Sequence, residues 1–476
     1  MNRVLECRAC FQSWGVTQGD RVATLSLGQS GQLAALLALA SLGAIWVPIN
    51  YRLALAEWRQ VIEDCRPVCM LTDATYQDAA HGLTQDLGMT CRFFTELSMP
   101  LDSPKLDLGL WDEEGADFAD EPVLLVYTSG TTGRPKGAVH TQSNLLANAR
   151  AAIAAQGITP QDRVLTVLPL FHVGGLCIQT LPALLAGARV ILHPRFDPER
   201  TIDELDRGQV TLTLMVPAVM KAVIEHPRFK SAHWPHLRAL WAGSSVLPED
   251  LVRAWMDRGV PVCNVYGATE TGPFSIALGP EHARTHIGSC GWPALGVEAR
   301  IKPLAGSADG VGEVCLRGPA IVRHYWPQQT ALDAEGWFHT GDLARMEADH
   351  SLRIVGRAKD MVISGGENIY PAEIETLLAS HPSVSECAAV GMPDPHWGEK
   401  VVAVVVLKPG LSASDDDLLA LLRQSLARYK HPREVVRMDS LPKTALGKVQ
   451  KDLLVQSLTE SAGTRVRPSA SLPRSL

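Results

Sequence analysis

Val123–Tyr127 reads VLLVY, a β-branched apolar run that passes directly into TSGTTGRPKG, Thr128–Gly137. A short apolar run bounded by turn residues reads as a buried strand. A strand that ends in so dense a glycine and hydroxyl loop restricts the fold to a sheet with a ligand at its edge. Glycine permits positive φ and leaves backbone N–H groups uncovered. Successive exposed N–H groups form an anion-binding concavity. Thr128, Ser129, Thr131 and Thr132 add hydroxyl donors for phosphate oxygens, and Lys136 adds a mobile cation. This is the composition of a phosphate cradle. It differs from the pattern in which Gly-Lys is followed by Ser or Thr at the start of a helix, because Lys136 precedes Gly137. A polar surface turn is the bland alternative.

With 476 residues the chain is too long for one core and predicts two or three subdomains. Its 46% hydrophobic and 20% charged residues exclude a disordered polymer. A net charge of −7 with no basic run argues against a nucleic-acid partner. The opening MNRVLECRAC lacks the apolar stretch of a signal peptide. Leu33–Ile49 is apolar, but its alanines with Ser41, Gly43 and Pro48 fit a buried helix running into a strand, not a membrane span. Together these predict a cytoplasmic protein. Its ten cysteines are expected as free thiols. The spacings Cys7–Cys10 and Cys65–Cys69 raise a zinc reading, but a helix under the first pair and a strand at Cys69 favour buried thiols.

Residues 1–120 alternate strand and helix patterns: strands at Asp20–Leu27, Ala44–Pro48 and Val68–Thr72, helices at Leu33–Leu42 and Glu57–Asp64. That alternation predicts an open α/β layer. After the phosphate loop come a helix at Asn144–Ala155 and a strand at Arg163–Gly175 that ends in a turn. Further strands are expected at Ala188–His193 and Val210–Pro217, with a helix between them. Leu237–Ser245 and Val260–Glu270 repeat the strand-then-glycine pattern of a crevice at the carboxyl edge of a sheet. Ile287–Arg317 reads as β-rich, and Gly356–Gly366 as a charged, glycine-punctuated link. Beyond it, two helices and two strands predict a small α+β domain. The Ser/Pro/Arg-rich end predicts disorder. The expected division is 1–356, 357–460 and a disordered tail at 461–476.

Four further stretches carry chemistry. Tyr266-Gly-Ala-Thr-Glu270 sits at a strand end, where an aromatic face suits a flat base and a carboxylate near phosphates suits Mg²⁺. A plain strand-end turn competes with that reading. Asp342 in HTGDLA suits ribose hydroxyls, although Asp is common in turns. Gly356–Pro371 combines a cation, a glycine pair and a helix start. Leu441–Lys451 holds Lys443 and Lys448 in a polar loop that is otherwise a solvated basic turn.

Taken in this order, YTSGTTGRPKG and these four stretches resemble the motifs of the adenylate-forming superfamily, the acyl- and aryl-CoA synthetases, peptide-synthetase adenylation domains and luciferases. The resemblance runs from about Gly15 to Lys451. It implies an α/β fold: a large N-terminal domain of layered α/β subdomains and a β-rich subdomain, with a small mobile α+β C-terminal domain. It implies that Thr128, Ser129, Thr131, Thr132 and Lys136 hold the β- and γ-phosphates of ATP. Gly243, Ser244 and Ser245 would flank the adenine and Tyr266 stack on it. Thr269 would contact the α-phosphate, Glu270 hold Mg²⁺, and Asp342 and Arg357 bind the ribose. Lys448 would bridge the substrate carboxylate and the α-phosphate, Lys359 act as hinge, and His172 gate the acid. The pair Gly365 and Gly366 would line a pantetheine tunnel, and Tyr429, His431 and Arg433 meet the CoA nucleotide, against the bland reading of basic residues at a helix end. Relatives also carry a segment upstream of the first helix, so a truncated start is expected.

The implied reaction joins a small-molecule carboxylic acid to CoA through an acyl-adenylate, in a monomer or homodimer. An acyl slot of Val173, Gly174, Gly175, Val216, Pro217, Ala242 and Phe274 carries no charge, which suits a fatty or aryl tail; Lys221 could pair a second carboxylate. The alternatives are an adenylation domain that loads a carrier protein, and a non-catalytic nucleotide-binding regulator.

Overall fold

The computed structural model describes residues 2–97, 120–129, 135–207, 209–243, 247–304, 310–364, 367–444 and 447–465, with only the backbone of Ser129 and of 461–465. The chain forms two compact units. One comprises Met1–Lys302, Val314–Thr340 and Met346–Arg353; the other comprises Pro303–Glu313, Gly341–Arg345 and Ile354–Leu476.

The larger unit holds two sheets. The first has eight strands, in the order Gln329–Thr330, His324–Tyr325, Pro135–Thr141, Pro122–Ser129, Ile45–Pro48, Arg21–Leu25, Cys69–Thr72 and Thr90–Phe93. Its N-terminal strands pair in parallel, with Val22 opposite both Trp46 and Cys69. Parallel strands need crossovers, which the helices Ser30–Ala40 and Leu55–Cys65 provide. Alternate residues feed different cores. Val22, Trp46, Leu71 and Leu124 join one buried cluster. Ala23, Val47, Met70 and Leu125 join another on the opposite face. Both faces are covered, which is why these strands read as continuous apolar runs. The Trp46 indole N–H is satisfied by Thr24 Oγ1 at 3.0 Å.

The second sheet runs Trp292–Pro293, Ile276–Leu278, Val262–Tyr266, Ala239–Gly243, Leu212–Met215, Arg163–Thr166 and Arg189–Leu192. Its five central and far strands are parallel, and the two at the near edge antiparallel. The strand expected over Arg163–Gly175 stops at Thr166. Pro169 cannot donate to a ladder, and His172 instead caps a helical turn at Val173–Gly175 that continues through Leu176–Thr180 and Leu181–Leu185.

The smaller unit is built on the sheet Glu367–Ile369, Val362–Ser364, Gly398–Leu407 and Val384–Asp394, with Glu434–Arg437 also on the central strand. Val401, Ala403 and Val405 face Ile374, Leu378, Leu418 and Leu422 of two helices. Val402, Val404 and Val406 face Leu441 and Leu454 on the other side. A separate small cluster gathers Val311, Leu343, Val355 and Tyr370. The last helix, Lys451–Arg465, runs past residue 460 into the stretch expected as a disordered tail. Leu454 anchors it on the sheet, and the first proline comes only at Pro468.

Among the described residues no helix is long and apolar enough to cross a membrane. None of the ten cysteines is in a disulfide. Burial raises the Cys7 thiol to about 11, and those of Cys65 and Cys69 to about 12.

Candidate active site

In the larger unit the strand Pro122–Ser129 turns back as the antiparallel strand Pro135–Thr141, with Thr128 opposite Lys136 and Ser129 opposite Pro135. The hairpin thereby holds Thr128 and Lys136 at the same end, and Thr128 Oγ1 donates to the Lys136 carbonyl at 3.4 Å. Thr131 and Thr132 lie outside the described residues, as do Ser244, Ser245, Gly365 and Gly366.

The second sheet brings two more of the expected groups together. Gly243 pairs with Val265, so Gly243 and Tyr266 end neighbouring parallel strands. A β-carbon on Gly243 would come within 2.5 Å of the Val265 carbonyl oxygen. After Tyr266 the chain bends so tightly that a β-carbon on Gly267 would lie 2.3 Å from the Pro273 carbonyl oxygen. The bend delivers the short turn Thr269–Thr271, closed by Gly272 at φ +74°. Thr269 is buried there and Glu270 half-buried.

Tyr325 connects these two places. Its hydroxyl donates to Glu270 Oε1 at 2.9 Å, and Lys136 Nζ lies 5.5 Å from the centroid of its ring. Burial and the Glu270 charge push the phenol pKa up, so it stays an O–H donor. The backbone around it is tied on both sides: Val322 N–H donates to the Glu270 carbonyl at 2.9 Å, and Trp326 N–H to the Gly137 carbonyl at 2.7 Å. Sequence reasoning missed Tyr325. The only signal for it is an aromatic residue in a polar stretch, RHYW.

A single carboxylate with one oxygen engaged suits Mg²⁺, which binds through one or two carboxylates and keeps phosphate oxygens and waters. Glu270 offers that donor, with Oε1 held by Tyr325.

His172 accepts a hydrogen bond at Nδ1 from Gly174 N–H at 3.0 Å, which leaves the proton of a neutral ring on Nε2. Burial lowers its pKa to about 4. Of the residues expected to line the acyl slot, Val173, Gly174, Gly175 and Ala242 are buried, and Phe274 packs on Trp241 at 5.5 Å. A β-carbon on Gly175 would lie 2.3 Å from the Pro169 carbonyl oxygen. Val216 and Pro217 are half-buried at the start of a helix. Lys221 on that helix pairs with Glu225 at 3.9 Å.

In the smaller unit Arg357 Nε donates to Asp342 Oδ1 at 2.7 Å, so the two groups expected at a ribose lie side by side. Lys448 sits on a tight turn, its carbonyl accepting from Thr444 N–H at 2.7 Å and Gly447 holding φ +81°. The residue as a whole is exposed. Protein packed about its ammonium, and then the Arg357 charge, lower its pKa, with Asp342 and Asp360 pulling the other way. Lys359 lies in the short turn Ala358–Asp360 and reaches Asp452 at 3.4 Å.

The basic stretch after residue 428 divides its work. Lys430 is buried in an ion pair with Glu373 at 2.6 Å, and His431 Nε2 meets the Leu426 carbonyl at 3.0 Å. Arg433 lies over Trp397, 5.0 Å from the ring centroid, and Tyr429 is exposed. Trp397, a second residue the sequence reading missed, adds an exposed ring to that surface.

Two family models match the chain, "AMP-binding enzyme" over residues 1–326 and "AMP-binding enzyme C-terminal domain" over 373–448. The chain is 41% identical over 464 residues to an indoleacetate–CoA ligase of Aromatoleum aromaticum, covering 93% of this chain and 89% of that one. It is 38% identical over 458 residues to a feruloyl-CoA synthase of an Amycolatopsis species, covering 94% and 91%. Among solved structures, o-succinylbenzoate CoA synthetase of Bacillus subtilis, in complex with its acyl-adenylate intermediate, superposes with a TM-score of 0.82. The two are 29% identical over 95% of this chain and 91% of that one.

Proposed function

The chain belongs to the AMP-binding enzyme family, and on that premise we propose that it is an AMP-forming ligase that joins an aryl carboxylic acid to CoA. The observation that carries the reading is the assembly of Lys136 and Glu270 about Tyr325, a cation and a carboxylate held beside the strand that enters the phosphate loop. The aryl preference rests on relatives named for indoleacetate and ferulate, and is in keeping with the packed aromatic pair Phe274 and Trp241 among the residues expected at the acyl slot.

The reaction has two halves. A carboxylate oxygen of the acid attacks the α-phosphorus of ATP; the acyl-phosphate bond forms and the bond to pyrophosphate breaks. The CoA sulfur then attacks the acyl carbon, AMP departs, and the thiol proton passes to solvent. In this reading Thr128, Ser129, Thr131, Thr132 and Lys136 hold the β- and γ-phosphates, and Gly243, Ser244, Ser245 and Tyr266 hold the adenine. Thr269 contacts the α-phosphate, and Asp342 and Arg357 hold the ribose. Glu270 would hold Mg²⁺, whose chemistry there is neutralisation of phosphate charge. Lys448 stabilises the charge that develops between carboxylate and α-phosphate. His172, kept neutral by burial, can stand beside a substrate carboxylate without capturing it as an ion pair. Gly365, Gly366, Tyr429 and Arg433 serve the CoA half, and a small C-terminal domain from residue 357 turns about Lys359 between the halves. Ten cysteines without a disulfide suit a reducing cytoplasm, where the enzyme works as a monomer or homodimer.

The test is incubation of the purified chain with ATP, Mg²⁺, CoA and a panel of indoleacetic, cinnamic, benzoic and fatty acids. AMP, pyrophosphate and an aryl-CoA thioester are the expected products. ADP and phosphate would overturn the reading, and a preference for fatty acids would overturn its aryl part.

A further inference from the structure

Tyr325 comes from a two-residue strand, paired on one side with Gln329–Thr330 and on the other with Pro135–Thr141, more than fifty residues beyond Glu270, yet it touches both charged groups on the phosphate side of the site. Its position is fixed independently of those contacts. Tyr325 pairs with Ala138 on the strand that leaves the phosphate loop. Three residues before it, Val322 is bonded to the Glu270 backbone, and one residue after it, Trp326 is bonded to Gly137. The same short segment therefore ties the Glu270 turn to the strand that carries Lys136. A carboxylate has two oxygens and several rotamers. A phenol that donates to one oxygen fixes both the rotamer and the face that the other oxygen presents. A ring face about 5.5 Å from an ammonium restrains the cation through its quadrupole without neutralising it.

We infer that Tyr325 is a positioning residue for the ATP half-reaction, its hydroxyl orienting Glu270 toward the divalent cation of metal–ATP and its ring orienting Lys136 toward the phosphates. This rests on the reading of the chain as an ATP-dependent ligase. One side chain thus sets the geometry of two opposite charges, and its two functions separate chemically. Tyr325→Phe removes the hydroxyl and keeps the ring. Tyr325→Leu removes both.

The parent enzyme is assayed first; if it makes no AMP and pyrophosphate, the ligase reading fails before Tyr325 is tested. In Tyr325→Phe the Mg²⁺ concentration at half-maximal rate is expected to rise about ten-fold, the loss of one hydrogen bond to a charged group. A much smaller change is expected in kcat at saturating Mg²⁺. Binding is read separately, by electron paramagnetic resonance of Mn²⁺ titrated into enzyme with α,β-methylene-ATP. Tyr325→Phe should weaken Mn²⁺ and leave metal-free nucleotide binding unchanged. Tyr325→Leu should weaken both. A double-mutant cycle with Glu270→Gln completes the test: Tyr325→Phe should have almost no further effect on Mn²⁺ affinity in the Glu270→Gln background. Unchanged Mn²⁺ affinity in Tyr325→Phe would overturn the inference. So would an equal loss in both backgrounds, or a fall in melting temperature that accounts for the lost activity.

Discussion

At the scale of single residues, Lys448, the buried His140 and the half-buried His172 make separate predictions. If Lys448 stabilises charge that arises only in adenylation, Lys448→Ala should slow acyl-AMP formation by roughly 10²–10³-fold. Thioester formation from supplied acyl-AMP and CoA should be largely retained; an equal loss in both half-reactions would remove that role. His140 is fully buried with neither ring nitrogen bonded among the described residues, and burial alone lowers its pKa from 6.5 to about 4. His172 is lowered to the same value. Because the native state holds both rings neutral, the unfolded chain takes up protons first as pH falls below 6.5. Stability is therefore whole above pH 6.5 and is lost between 6.5 and 4, by roughly 1.4 kcal/mol per pH unit for each ring. Melting temperatures from pH 7 to 5 should fall less steeply in His140→Leu than in the parent. Parallel curves would show that His140 is not a source of the dependence. Most of the charged groups proposed for the site were chosen from residue type in a loop, because glycine, hydroxyl and lysine clusters have few other uses. Tyr325 was not, because its role exists only through pairing between strands distant in sequence.

At the scale of elements, the site depends on backbone approaches that leave no space for a β-carbon. Gly267 is the tightest of the turns near Glu270, with the Pro273 carbonyl 2.3 Å from where that carbon would be. Gly267→Ala should cost about 1–3 kcal/mol in urea unfolding, as overpacking does. It should also depress adenylation beyond the loss of folded protein, since the displaced turn carries Thr269 and Glu270. A variant with parent stability and activity would show that the turn relaxes freely. The strands ending at Gly243 and Tyr266 could be read from their apolar runs and glycine ends. The strand expected through Gly175 ran too long. Its apolar run continues past Thr166, but Pro169 and the His172 cap redirect it into helix, and periodicity does not distinguish a buried helix from a buried strand over so short a stretch.

At the scale of the molecule, the alternation of helices and strands made the layered α/β class legible, since both faces of the first sheet are buried. What periodicity does not carry is how the segments are shared between compact units. The proposed rotation about Lys359 has its own test. Proline there fixes φ and disfavours the helical backbone of Ala358. Lys359→Pro should leave acyl-AMP formation near normal and slow thioester formation; CoA turnover as fast as the parent's would place the hinge elsewhere. The small cluster of Val311, Leu343, Val355 and Tyr370 bears on how such enzymes can be recombined. Three of its four side chains precede residue 357, although all four belong to the smaller unit. A chimera spliced at 357 would dock a donor's Tyr370 onto the host's three partners. Grafts of this unit between relatives therefore have to carry positions 311, 343 and 355 along with the C-terminal segment, or accept a mismatched seam wherever the two parents chose different shapes there.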